Sequence, residues 1–279
     1  MIATMSTVWD RTAEFLSDNL SALTPIVLLG IFVPLTVFGS LLPLQATAGP
    51  VGGIVIGCIL LILSLIQIWG SIAITALAFD PAAGRAPAIA TANNRLLPVI
   101  GIFLLALLAA LLFTLPIGVA LGAGGFTPAM LSGAGSSLAG VNGGALAFVF
   151  GYVLVLTILL LWAYTRFFAL IVPIMVMERR GFGVFTRSFV LTRGIGWKLF
   201  GVLLLYFVVL EVSALAAQGV VGSVLRLLLG GEGVLTVAGV LTQIVVAAIS
   251  TLFSVLSVAF VAKLYLATRD AREAIVEAA

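Results

Sequence analysis

The sequence predicts an all-α polytopic membrane protein, a six-transmembrane helical bundle with amphipathic interfacial helices on the cytoplasmic side. Three observations predict it. Hydrophobic residues make up 63% of the chain and charged residues 8%, histidine is absent and the mean hydropathy is +1.34, a composition that excludes an ordinary soluble domain. Six stretches are long and apolar enough to cross a hydrocarbon core of roughly 30 Å as helices, the form that satisfies backbone N–H and C=O groups within one segment. Cut at those stretches, the chain places all of its 13 Lys and Arg residues except Arg166 and Arg226 on one side.

The spans read as residues 24–44, 52–79, 96–121, 145–177, 198–225 and 234–266, within a single integral-membrane domain covering 1–279. The fourth and sixth would run to roughly 50 Å at 1.5 Å per residue, so each must tilt, protrude or break. Pro173 is the expected break in the fourth. A signal peptide cleaved after Ala46-Thr47-Ala48 is rejected, because the apolar run before it is too long and Asp10, Glu14 and Asp18 precede that run. Cys58, the lone cysteine, falls in the second span and can form no internal disulfide.

Ahead of the first span, Met5, Trp9, Ala13, Leu16 and Leu20 share one helical face, with Arg11, Glu14 and Asp18 opposite. This pattern predicts a helix over 5–20 lying in the membrane interface, anchored by Trp9. A weaker interfacial segment is expected at 83–95, with Ile89 and Leu96 as its apolar points. The glycine-rich, uncharged loop 122–144 reads as a flexible linker. In the fourth loop, 182–194 repeats the interfacial device, with Phe182, Phe185 and Phe189 on one side, Arg187 on the other and a stop near Gly194. Each interfacial segment leads into an outgoing span, a pattern of three units beginning near residues 5, 83 and 181.

Orientation follows from the charges. Arg11, Arg85, Arg95, the cluster from Arg179 to Lys198, and Lys263, Arg269 and Arg272 lie on one side, which is therefore cytoplasmic and carries both termini. The net charge of +3 reflects this retention and gives no sign of nucleic-acid binding.

Two groups of residues are candidates for function. Ionisable residues inside spans are costly, so Arg166 and Glu211 stand out. Counted from the loops, both lie roughly 18 to 20 Å from the inner surface, level with Gln67 and Ser250, and this predicts a buried polar layer registered by an Arg166–Glu211 pair. The second group is Arg179, Arg180, Arg187, Arg193 and Lys198, interleaved with aromatic residues and suited to anionic phospholipid. Nothing in the chain combines a nucleophile with a nearby base or supplies a metal-ligand cluster, so the expectation is a protein that is not an enzyme and uses no cofactor.

Around the fourth loop the sequence resembles the membrane domain of the glycerophosphoryl diester phosphodiesterase family, including its stand-alone members. The resemblance rests on Arg166, Pro173, Glu178, the run Arg187-Ser188-Phe189 through Leu191-Thr192-Arg193-Gly194, Trp197 and Tyr265. It is specific over 166–201 and general over the rest. It implies a bacterial inner-membrane module connected with phospholipid or envelope metabolism. The phosphodiesterase domain of the fused members, which uses histidine and acidic metal ligands, has no counterpart in these residues.

The functional expectation is a non-enzymatic inner-membrane component that binds phospholipid or a protein partner, a second copy included. The alternative is a small transporter or channel. A transporter would show a polar path through Gln67, Arg166 and Glu211, whereas a scaffold would pack that layer dry.

Overall fold

A computed structural model describes residues 5–45, 47–125, 142–178, 181–230 and 235–277, with side chains to 271. All of its described regular structure is helical, and six helical segments are long and apolar enough to cross a membrane: Leu20–Gln45, Gly49–Phe79, Arg85–Ala123, Gly143–Met177, Gly196–Leu229 and Val237–Ala271. The chain is a six-span helical membrane protein.

Helix α1 (Met5–Asp18) precedes the first span, which consists of α2 (Leu20–Val27), a π-helical turn (Leu28–Phe32) and α3 (Val33–Gln45). Pro34 follows the wide turn, where its missing N–H and its ring are accommodated without breaking the span. Inside that turn Gly30 meets Gly70 of α4 (Gly49–Phe79). A Cβ on Gly70 would stand 2.8 Å from the Gly30 carbonyl oxygen, so the two helices touch backbone to backbone.

The interfacial segment expected at 83–95 is not separate. It forms the first turns of α5 (Arg85–Ala123), 39 residues long and continuous with the third span. The physical reason lies in its alanines. Ala88 and Ala92 are buried, favour helix and allow close packing on α4, and Trp69 Nε1 donates to Asn93 Oδ1 at 2.8 Å to fix the two helices together. Most of the predicted linker, residues 126–141, lies outside the described residues.

The fourth span is α6 (Gly143–Ala163), a π-helical turn (Tyr164–Phe168) and α7 (Ile171–Met177). It breaks where Pro173 dictates. Proline displaces the carbonyl four residues earlier, and the helix is interrupted at Ala169 and Leu170, one turn before the proline itself. After α7 comes α8 (Val184–Leu191), ending in a turn in which Gly194 takes φ 92°. The fifth span comprises α9 (Gly196–Ala216), a third π-helical turn (Ala217–Val221) and α10 (Gly222–Leu229). The last, α11 (Val237–Glu277), is one helix of 41 residues. At roughly 60 Å it runs well past one crossing, so protrusion resolves the excess length.

Burial is uneven along the bundle axis. The end that carries both termini, the terminal end, holds most of the core: Ile72, Ile74 and Leu77 of α4, Leu170, Ile171 and Ile174, Val184 and Leu191, and Phe260 and Tyr265 of α11. Helix α1 belongs to this core. Its buried line is Val8, Thr12 and Phe15, with the Trp9 ring tilted against Phe260 at a centroid distance of 4.6 Å, while Ala13 and Leu20 are exposed. The apolar face expected to lie on lipid is therefore rotated, and Trp9 packs on α11 instead of anchoring freely.

Candidate functional site

Helix α8 determines the local geometry, because it turns back against the π-helical turn of the fourth span. Where that span is interrupted, carbonyls lack helical partners, and the Arg166 carbonyl accepts from Ser188 Oγ at 3.1 Å; Thr192 Oγ1 stands 3.4 Å from it and donates to the Ser188 carbonyl at 2.9 Å. Both hydroxyl residues are fully buried. Phe185 packs edge-on against Phe168 and Phe189 stacks on Phe167, so the phenylalanine stripe is largely docked on protein, with Phe182 left 74% exposed.

The Arg166 guanidinium completes this joint. Its Nη1 donates to the Thr192 carbonyl at 3.0 Å, its Cζ stands 5.6 Å from the Phe189 ring centroid, and it fills the space at Gly196, where a Cβ would approach Cζ to 2.6 Å.

The expected Arg166–Glu211 pair does not form, and the polar layer is not one layer. Counting both spans from a common surface assumed a loop that stays outside. In fact α8 climbs back, so α9 begins at the guanidinium, and Glu211 lies about 22 Å further along α9. Glu211 is exposed on the side of that helix, and no described residue pairs with it.

The predicted lipid-binding cations also separate. Arg187 is engaged internally: its Nε donates to Glu178 Oε1 at 2.8 Å, and the same oxygen accepts from Tyr265 Oη at 2.8 Å. Tyr265 is fully buried, so this three-residue bond ties α7, α8 and α11 together. Arg193 and Lys198 are exposed beside the α8–α9 turn, and Arg179 and Arg180 lie outside the described residues. Sequence reasoning assigned Lys263 no role beyond its charge. Its Nζ donates to the Ala78 carbonyl at 2.7 Å, capping the end of α4, and lies 4.7 Å from the Phe15 ring centroid.

Gln67 lies elsewhere, in a half-open cavity of about 410 Å³ lined by the first span, α4, α5, the fourth span and α11. Its polar lining is Ser64, Gln67, Ser71 and Thr75 from α4, Tyr164 from the fourth span, and Ser254 and Ser257 from α11, with no acid or base among the described lining residues. The hydroxyls of Ser64, Ser71 and Thr75 donate to carbonyls one turn back on α4, at 2.8 to 3.0 Å, so towards the cavity they offer chiefly lone pairs. None of the described residues hydrogen-bonds to the Gln67 carboxamide. Ser250 is not in the lining; Ser254 and Ser257, one and two turns on, occupy that place.

The remaining walls are apolar, among them Ile31, Ile68, Phe103, Phe168 and Val258. Within a turn of the lining, Leu60 is buried at one end and Leu77, Ile174 and Tyr265 at the other. The signal for this site was present in sequence as spacing. Residues 64, 67, 71 and 75 repeat at helical intervals on one face, and so do 250, 254 and 257, although single serines in a span read as packing groups.

Comparison of the chain with protein-family models, with curated proteins and with solved structures found no match.

Proposed function

We propose that this chain is a non-enzymatic lipid-binding protein of the bacterial inner membrane, with both termini cytoplasmic, and that its cavity takes an uncharged, hydroxyl-bearing lipid such as a diacylglycerol. The observation that carries this reading is the free Gln67 carboxamide, facing hydroxyl lone pairs in an otherwise apolar cavity without ionised groups. A glycerol hydroxyl can donate to those lone pairs and accept from the amide, while the acyl chains match the apolar walls. A phosphate would enter without a counter-charge, at a desolvation cost of several kcal/mol. Buried residues at both axial ends favour entry from the side, between helices, over passage across the membrane.

Arg193 and Lys198, exposed on the α8–α9 turn, then serve as contacts for anionic headgroups that reach that turn from the cytoplasmic side, worth about 1 kcal/mol each. Membership in the glycerophosphoryl diester phosphodiesterase membrane-domain family is part of the same proposal. Supporting it, residues on which the resemblance rests bond to one another: Arg166 to Ser188 and Thr192, and Glu178 to Arg187 and Tyr265.

Native mass spectrometry of detergent-extracted protein tests the reading. The expected result is one uncharged glycerolipid retained per chain, lost in Gln67→Leu. Retention of anionic lipids alone, or equal retention by wild type and variant, would refute it.

A further inference from the structure

Glu211 is left over from the site. It projects from a membrane-spanning helix without a described partner, and Gln218, also exposed, stands seven residues on, two turns along the same flank. The residues around them on that flank are apolar and exposed too: Phe207 at 56% and Leu215 at 64%. Other sides of the fifth span are exposed as well, Val212 at 60% and Val220 at 67% among them, but Glu211 and Gln218 set this flank apart as polar. The span meets the rest of the chain along a narrow line. Ala217 and Gly222 are buried, and a Cβ at Gly222 would meet Thr242 of α11 at 3.2 Å. Helix α6 packs chiefly on α5 and on the turn that follows it, whereas α9 packs on α11 and on that same turn. Helix α6 comes near the flank at Leu161, which shares a pocket with Phe207, and Glu211 and Gln218 lie outside that pocket.

A carboxyl and a carboxamide that face hydrocarbon forfeit their hydrogen bonds, and polar groups inside spans are normally found against protein. We infer that this flank is an interface with a second copy of the chain, arranged about a two-fold axis along the membrane normal. Such an axis brings residues of equal depth together. A carboxamide is self-complementary, having both donors and an acceptor, and two carboxyl groups pair by sharing a proton. A second copy therefore satisfies both levels at once, whereas a different protein would need its own polar groups at the same two depths. The exposed, flat Gly219 beside Gln218 allows close approach of the partner helix.

The test is association in liposomes over a range of protein-to-lipid ratios, read by single-molecule photobleaching of full-length protein. Wild type is expected to dimerise, and Glu211→Leu with Gln218→Leu to need roughly tenfold higher density for the same dimer fraction. Glu211→Gln, which can pair with itself, should associate nearly as wild type does. A second readout keeps both polar residues in place. Leu215→Cys in a Cys58→Ser background should cross-link under mild oxidation, and Leu227→Cys, 86% exposed on α10, should not. A monomeric wild type, a double-leucine variant that dimerises like wild type, or cross-linking at both positions alike would overturn the inference.

Discussion

The two ends of this bundle are built differently. At the terminal end, helices from all parts of the chain converge on one core, and polar groups are bonded across helices: Glu178 with Arg187 and Tyr265, Lys263 with Ala78, Arg166 with Thr192. Towards the distal end α6 and α9 separate, and buried residues thin out to a few, such as Leu156, Ala217 and Ala238. The same apolar composition serves both ends, so hydrophobicity alone does not decide which surfaces meet. Lipid is as apolar as leucine, and association within a membrane rests on close packing and hydrogen bonds. The terminal end has both. The distal end has fewer such bonds, Tyr152 Oη to the Phe113 carbonyl at 2.9 Å among them, and leaves Glu211 and Gln218 exposed without a described partner.

The largest effect is expected where packing is closest. Gly70→Val would drive a branched side chain into the Gly30 backbone, and we expect a loss of about 3 kcal/mol or more, seen as failure to recover monodisperse protein in fluorescence-detected size exclusion. Val119→Ala, on the exposed distal part of α5, should behave as wild type in the same assay.

Next in size is the bonded carboxylate. Glu178→Ala strands both Arg187 and Tyr265 and should cost about 3 kcal/mol, and the Glu178/Arg187 double-mutant cycle should show coupling of about 1 kcal/mol or more in thermal or denaturant unfolding. Arg166 and Glu211 provide the contrast. Some 22 Å apart, they should give additive effects to within about 0.5 kcal/mol. Coupling between them would return the polar layer to a single depth.

The smallest effect is at the distal surface. Phe150→Ala, 74% exposed on α6, should change stability by no more than about 0.5 kcal/mol. A larger loss would mean that the distal end is held together by contacts within the chain after all.

Much of this architecture was legible in the sequence. Span number, the stop at Gly194 and the interruption imposed by Pro173 follow from length, glycine and proline chemistry, which are local. Depth was not legible in the same way. It was counted from the loops, and α8 turns back into the bundle, so Arg166 and Glu211 fell at one level in sequence and at two in space. The interfacial faces failed for a related reason. Amphipathicity states that a face will be buried, and here the cover is protein: Trp9 meets Phe260, and Phe189 meets Phe167. The cavity was half legible, since Gln67 was singled out but the seryl stripes that share its lining were read residue by residue.

The central claim is that the cavity selects an uncharged lipid through Gln67. Its most direct test is competitive binding in lipid nanodiscs between a diacylglycerol and a phosphatidic acid with identical acyl chains, using wild type and Gln67→Leu. The account predicts saturable binding of one diacylglycerol per chain, displaced poorly by phosphatidic acid and weakened roughly tenfold by the substitution. Equal affinity for the two lipids, or a Gln67→Leu protein that binds diacylglycerol as wild type does, would contradict it.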